Sequence, residues 1–175
     1  DFSKTGGGLT SSTATLKLSD NVTLSSDSAL SFKALTLNNK KLTLGGQAGS
    51  FALSDELNLN NPNGLIVQDS TALKLNGGLS INSGGVLRLS KDLDTGTAKI
   101  KLNGGLLAID NDITLNSSIT HLAASTIKIA ENKTLNYEGM TFKVGASALS
   151  INGGGSFTNT NPIELDNEVS QLKFA

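Results

Sequence analysis

The chain has 175 residues, with Lys plus Arg 14 against Asp plus Glu 15 and a formal net charge of -1. That is enough for one domain with a sizeable core, and it gives no general attraction to nucleic acid or to an anionic membrane. Cysteine and tryptophan are absent and aromatics are only 4%, which excludes disulfide frameworks, thiolate zinc sites and thiol catalysis and removes most of the aromatic platforms that sugar and base sites use.

Glycine is frequent, proline is rare, and Ser, Thr and Asn are abundant beside Leu, Ile, Val and Ala. This is a composition for many short strands and tight turns. The chain has no initiator Met, no basic-then-apolar leader and no apolar run of about 18 residues. It reads as a mature protein or a piece cut from something longer, with no membrane span of its own.

Residues 1–12, DFSKTGGGLTSS, read as a flexible or capping lead-in. From residue 13 to 175 the pattern is uniform, with no linker or composition break, and predicts a single domain. Apolar residues recur at i and i+2: Leu16 and Leu18, Leu35 and Leu37, Leu42 and Leu44, Leu57 and Leu59, Leu73 and Leu75, and so on to Leu149 and Ile151. Such alternation places one side chain inside and the next outside. Each run is followed by Gly, Asn, Asp or Ser, which make turns. ITHLAA (119–124) could form a helical turn but lacks caps and length.

A longer period sits above the alternation. An apolar trio followed by a small, often polar residue appears as LKLSD (16–20), LTLNN (35–39), LNLNN (57–61), LKLNG (73–77), IKLNG (100–104), IKIAE (127–131) and LSING (149–153). The intervals scatter around roughly 22 residues, in the range of solenoid repeats. About three short strands fit each period, which predicts a right-handed parallel β-helix of about three strands per coil and about seven coils, roughly 35 Å long. Leucine-rich repeats place their Asn later, and an antiparallel sandwich would not need the repeated phrase.

If successive trios stack, Asn38, Asn60, Asn76, Asn103 and Asn152 form one corner ladder, a scaffold device in which amides hydrogen-bond along the column. The same stacking puts the outward Lys74, Lys101 and Lys128 in one line. Such a line is a solvated face that discourages aggregation or, in a functional reading, a basic stripe for an anionic glycan or a partner. Without interleaved aromatics it does not read as a nucleic-acid surface.

Asp92 and Asp94 in KDLDTG, and Asp110 and Asp112 in IDNDIT, would suit a hard cation or an acid/base pair for glycosidic cleavage. Neither completes a calcium loop, and turn capping is the default reading. His121 is the only histidine and Arg88 the only arginine; with no G-x-S-x-G elbow, a triad is not indicated and His121 reads as a corner or surface residue. The Gly-Gly spots precede no helix and match no phosphate loop, so they read as corners. No catalytic residue, metal or cofactor is assigned. The outward series mixes Lys, Thr, Asn, Arg and Ala, not the regular Thr face of an ice-binding solenoid.

Phrases such as LKLNGGLSINSGGVLRL (73–89) and LNGGLLAIDNDITLN (102–116) resemble the passenger regions of bacterial autotransporters and filamentous-haemagglutinin-like adhesins. The resemblance is a style of repeat covering nearly the whole chain. It implies an extracellular or cell-surface location and a structural or adhesive role; the uncapped end strands and the lysine line point to further solenoid segments, other copies or surface glycans as partners. It carries over no catalytic residue. The rival reading is a carbohydrate-active or glycan-binding protein on the same scaffold. Strand-like residues persist to Phe174 with no polar cap, so the sequence predicts a segment of a longer solenoid or a subunit of an end-to-end fibre.

Overall fold

The computed structural model describes residues 2–4, 9–26, 28–45, 49–60 and 64–175. Among them the chain forms 25 strands and no helix, because alternating apolar residues in runs of two to five, each closed by turn formers, suit an extended chain with one buried side.

Numbered in chain order, the strands fall on three faces. The first is an unbroken nine-stranded sheet of β1 (Phe2–Lys4), β4 (Val22–Ser26), β7 (Lys41–Gly45), β10 (Leu65–Gln68), β13 (Val86–Leu89), β16 (Leu106–Ile109), β19 (Ser125–Ile129), β22 (Ala148–Asn152) and β25 (Gln171–Phe174). The second has β2 (Leu9–Thr10), β5 (Ala29–Phe32), β8 (Ser50–Leu53), β11 (Ala72–Leu75) and β14 (Leu93–Asp94) in one sheet, then β17 (Ile113–Leu115), β20 (Thr134–Tyr137) and β23 (Ser156–Asn159) in another. The third has β3 (Thr15–Lys17) and β6 (Ala34–Thr36), then β9 (Leu57–Leu59), β12 (Leu79–Asn82), β15 (Ile100–Asn103), β18 (Ile119–Ala123), β21 (Phe142–Val144) and β24 (Ile163–Leu165).

Every third strand shares a face, and neighbours on a face pair in parallel. The molecule is therefore a parallel β-solenoid with three strands per coil, as the sequence predicts. It has eight coils and a closing strand, where the sequence reading expects about seven. The extra coil comes from the expected lead-in: Phe2–Lys4 pairs with β4 and Leu9–Thr10 with β5, while residues 1 and 5–8 lie outside the described residues. ITHLAA is strand, its first five residues forming β18.

The core is a set of apolar columns running through the coils. On the third face Leu59, Ile81, Leu102, His121, Val144 and Leu165 stand in register. On the first, Leu42, Ile66, Leu87, Leu107, Ile127 and Ile151 do so. Nearly all are fully buried, each Leu or Ile contributing about 1.5–3 kcal/mol relative to exposure. One coil could not bury these residues alone, because its inner side chains are covered by those of the coils on either side.

The two sheet breaks coincide with changes in corner length. The second face breaks where the corner 95–99 gives way to 116–118, and the third breaks where 37–40 gives way to 60–64. Such a change does not by itself break a ladder: β16 and β19 stay paired although the corner before them shortens from 104–105 to Ala124 alone.

The twin phrases LKLNGG and IKLNGG stand on different faces and turn differently. Leu73 to Leu75 lie on the second face, beside Phe51 and Leu53. Ile100 to Leu102 lie on the third, beside Leu79 and Ile81. At the first corner Gly78 has φ 94°, while a Cβ on Gly77 would lie 2.6 Å from the Ser54 carbonyl oxygen. At the second the roles exchange: Gly104 has φ 97°, and a Cβ on Gly105 would lie 2.6 Å from the Asn82 carbonyl oxygen. Each pair needs one left-handed residue and one residue with no side chain.

Candidate functional site

The three lysines of the expected stripe lie one on each face. Lys74 is between Ala52 and Asp94 on the second, Lys101 between Ser80 and Thr120 on the third, and Lys128 between Ala108 and Asn152 on the first. They form no basic line. The trio phrase occurs on all three faces, so its recurrence is not the pitch of one column.

The predicted amide ladder is real but shorter, and it includes a residue that the phrase missed. Asn103 donates from Nδ2 to Oδ1 of Asn82 at 2.8 Å, and Asn82 donates in turn to Asn60. Asn82 follows Leu79-Ser80-Ile81, the run one coil before Ile100-Lys101-Leu102; that equal spacing was the available signal. Asn38 lies in the same corner one coil before Asn60 and donates to the Leu18 carbonyl at 2.8 Å. Asn76 and Asn152 belong to other corners, beside Leu53 and Lys128.

The carboxylates are engaged between coils. Asp110 accepts a bidentate pair of hydrogen bonds from Arg88, both 2.8 Å, and this ion pair keeps the guanidinium charged. Asp92 accepts from the Thr114 amide at 2.7 Å, and Asp112 from the Thr134 amide at 2.8 Å, each fastening the strand of the next coil. Asp94 accepts from the Gly96 amide at 2.8 Å in a local turn. The default reading of turn capping thus describes Asp94 alone, and the other three tie one coil to the next. Among the described residues no three or more His, Asp or Glu side chains gather where a metal could sit.

One carboxylate that the sequence reading passed over spans three coils. Glu56 accepts from the Ser80 hydroxyl at 2.5 Å and from Lys101 Nζ at 2.9 and 3.2 Å. The Ser80 bond, then Lys101, hold its pKa below the usual carboxylate range against the opposing effect of burial. Glu56 also lines a cleft of about 350 Å³ at the break between β6 and β9, with a floor of Leu35 and Leu37 and amides of Asn38, Asn39, Asn58 and Asn60 around it. Asn38 and Asn39 both have positive φ, 50° and 63°, and turn the chain there, with the Lys40 amide donating to the Leu37 carbonyl at 3.0 Å.

Among the described residues the last coil is the most exposed apolar region. Phe157, Ile163 and Leu172 are only partly buried, and Leu165, Val169 and Phe174 are 55%, 62% and 64% exposed. Its strands β23, β24 and β25 each pair on one side only.

His121, expected at a corner or on the surface, is in the core. It is 1% exposed and stands between Leu102 and Val144. Alternation from Ile119 was the signal for this, and it outweighs the polarity of the ring. No helix among the described residues is long and apolar enough to cross a membrane. Comparison with known protein families, with curated proteins and with solved structures finds no match to this chain.

Proposed function

We propose that the chain is a structural or adhesion module of an extracellular or cell-surface solenoid, and that its last coil is covered by a further coil, either of a longer solenoid or of a second copy. The observation that carries this reading is the open end. The free edges of β23, β24 and β25 surround Leu165 and Phe174, which continue buried columns. Three free edges with apolar side chains inside them are a template for another coil. Glu56, Asp92, Asp110 and Asp112 are occupied in fastening coil to coil, which also supports a scaffold role over an enzyme. The surface location rests on the resemblance of the repeats to autotransporter passengers and haemagglutinin-like adhesins.

The test is light scattering and negative-stain microscopy of the purified chain across a concentration series. Rods lengthening with concentration are expected, and a Leu165→Lys, Phe174→Glu double variant stays monomeric. A wild-type chain that stays monomeric throughout overturns the end-to-end arrangement.

The cleft beside Glu56 favours a second reading, glycan binding. Its amides offer both donors and acceptors, its Leu floor offers an apolar surface, and Lys101 neutralises its carboxylate, so the matching ligand is a neutral sugar. Titration of the 15N-labelled chain with maltotriose and lactose tests it. Shifts at the side-chain amides of Asn58 and Asn60 support the reading, and their absence at millimolar sugar removes it.

A further inference from the structure

His121 is the one imidazole in the chain, and its place has no apolar logic. Its column neighbours are Leu102 and Val144, it is 1% exposed, and neither ring nitrogen completes a well-aligned hydrogen bond, the backbone of Ala123 and Ala148 offering only a weaker polar contact. A buried polar group with no partner is costly, and Leu would fill the position without that cost.

The backbone beside it is irregular. Ile100 pairs with Ile119 and Leu106 with Thr126, so the later coil uses one residue more to cover the same path. The register slips between Leu102 and Asn103, and Leu122 is pushed outward, 51% exposed. The corner beyond is the single residue Ala124. It is held by Ser125, whose hydroxyl donates to the Ala123 carbonyl at 2.6 Å and accepts from the Gly104 amide at 2.8 Å. A β-bulge is a local weakness in a ladder and a way to re-aim a side chain.

We propose that His121 and the bulge at Leu122 form an acid-operated joint: a proton taken up by the ring expels it from the column and opens the coil at the corner between β18 and β19. The charged ring has no counter-ion inside. On the strands packed against it, Lys101 and Lys143 face outward and pair with Glu56 and Glu164, and Lys128 is outward and exposed. The one other titratable side chain in the apolar core among the described residues is Tyr137, on β20. It is held neutral by burial with its pKa pushed up to about 12, and its hydroxyl donates to the Thr141 carbonyl at 2.6 Å. No carboxylate faces the ring among the described residues.

The direction follows from linkage. Burial lowers the His121 pKa, and the nearby backbone of Ala123 and Ala148 opposes this only in part. The closed coil therefore binds fewer protons than the open one. The stabilisation of the closed form is complete above the ordinary imidazole value of about 6.5 and is lost as pH falls from there toward the depressed value. Within that window the opening constant rises by up to about tenfold per pH unit.

The test is amide hydrogen exchange of the full chain between pH 7.5 and 5.5, above the carboxylate range and corrected for intrinsic exchange. In the wild type, opening of residues 119–129 should rise steeply with acid while residues 65–89 stay flat. In His121→Leu the slope should vanish. If that variant fails to fold, His121→Gln keeps a polar, non-titrating side chain and should be equally flat. The same acid slope in wild type and variant, or uniform opening along the solenoid, overturns the proposal.

Discussion

The middle coils and the last coil carry the same columns with opposite outcomes. Phe142 on β21 is fully buried, whereas its neighbour Ile163 on β24 is only partly so. Ile127 and Ile151 are 0% and 4% exposed on the first face, and Phe174, next in that column, is 64% exposed. The residues do not differ in apolar character, only in whether a coil lies above them. In a solenoid a side chain's burial is supplied by its neighbours on both sides, so stability is a property of coil position as much as of residue type.

The largest expected effect tests this directly. Ile81→Ala removes a side chain enclosed between Leu59 and Leu102 and should cost about 2–5 kcal/mol, because rigid neighbours leave a cavity. Phe174→Ala, although a larger truncation, should cost under about 1 kcal/mol when measured on dilute monomer. Urea unfolding of the two variants makes the comparison. Equal losses would mean that the last coil is already covered in the monomer. Repeating the pair at the concentration where rods form sharpens the point, since the Phe174→Ala loss should then grow.

The alternation of Leu and Ile with turn residues made the strands, the absence of helix and the three-strand coil legible, since a period of two and a Gly or Asn at each corner are local signals. Which run stacks on which was not legible. Leu73-Lys74-Leu75 and Ile100-Lys101-Leu102 look alike because every face imposes the same in-out-in rule. The distance between stacked residues also varies, from Leu16 over Leu35 to Lys41 beside Leu65. The lysine stripe and two of the five expected ladder residues, Asn76 and Asn152, were lost to that ambiguity. Glu56 could not be seen at all, because its partners Ser80 and Lys101 lie one and two coils away.

The amide ladder should show a middle-sized effect. Asn82 both donates to Asn60 and accepts from Asn103. Asn82→Ala should therefore cost about 1 kcal/mol, the usual net value for such bonds. Asn76→Ala and Asn152→Ala, outside the ladder, should lie within about 0.5 kcal/mol of wild type. If all three behave alike, the stacked amides contribute nothing beyond their individual turns.

The smallest effect concerns the ion pairs that tie one coil to the next. Arg88 and Asp110 are joined by two bonds of 2.8 Å, yet their side chains are 49% and 25% exposed. Water screens such a pair, so a double-mutant cycle with Arg88→Met and Asp110→Asn should give a coupling of only about 0.2–1 kcal/mol at low salt. At about 1 M salt the Debye length falls to about 3 Å and the coupling should shrink further. A coupling of several kcal/mol that survives salt would mean that charge, and not the apolar column, decides which coil sits on which. Coil position would then matter less than the pairing on its outer face, and the contrast between the middle and the end of the molecule would need a different cause.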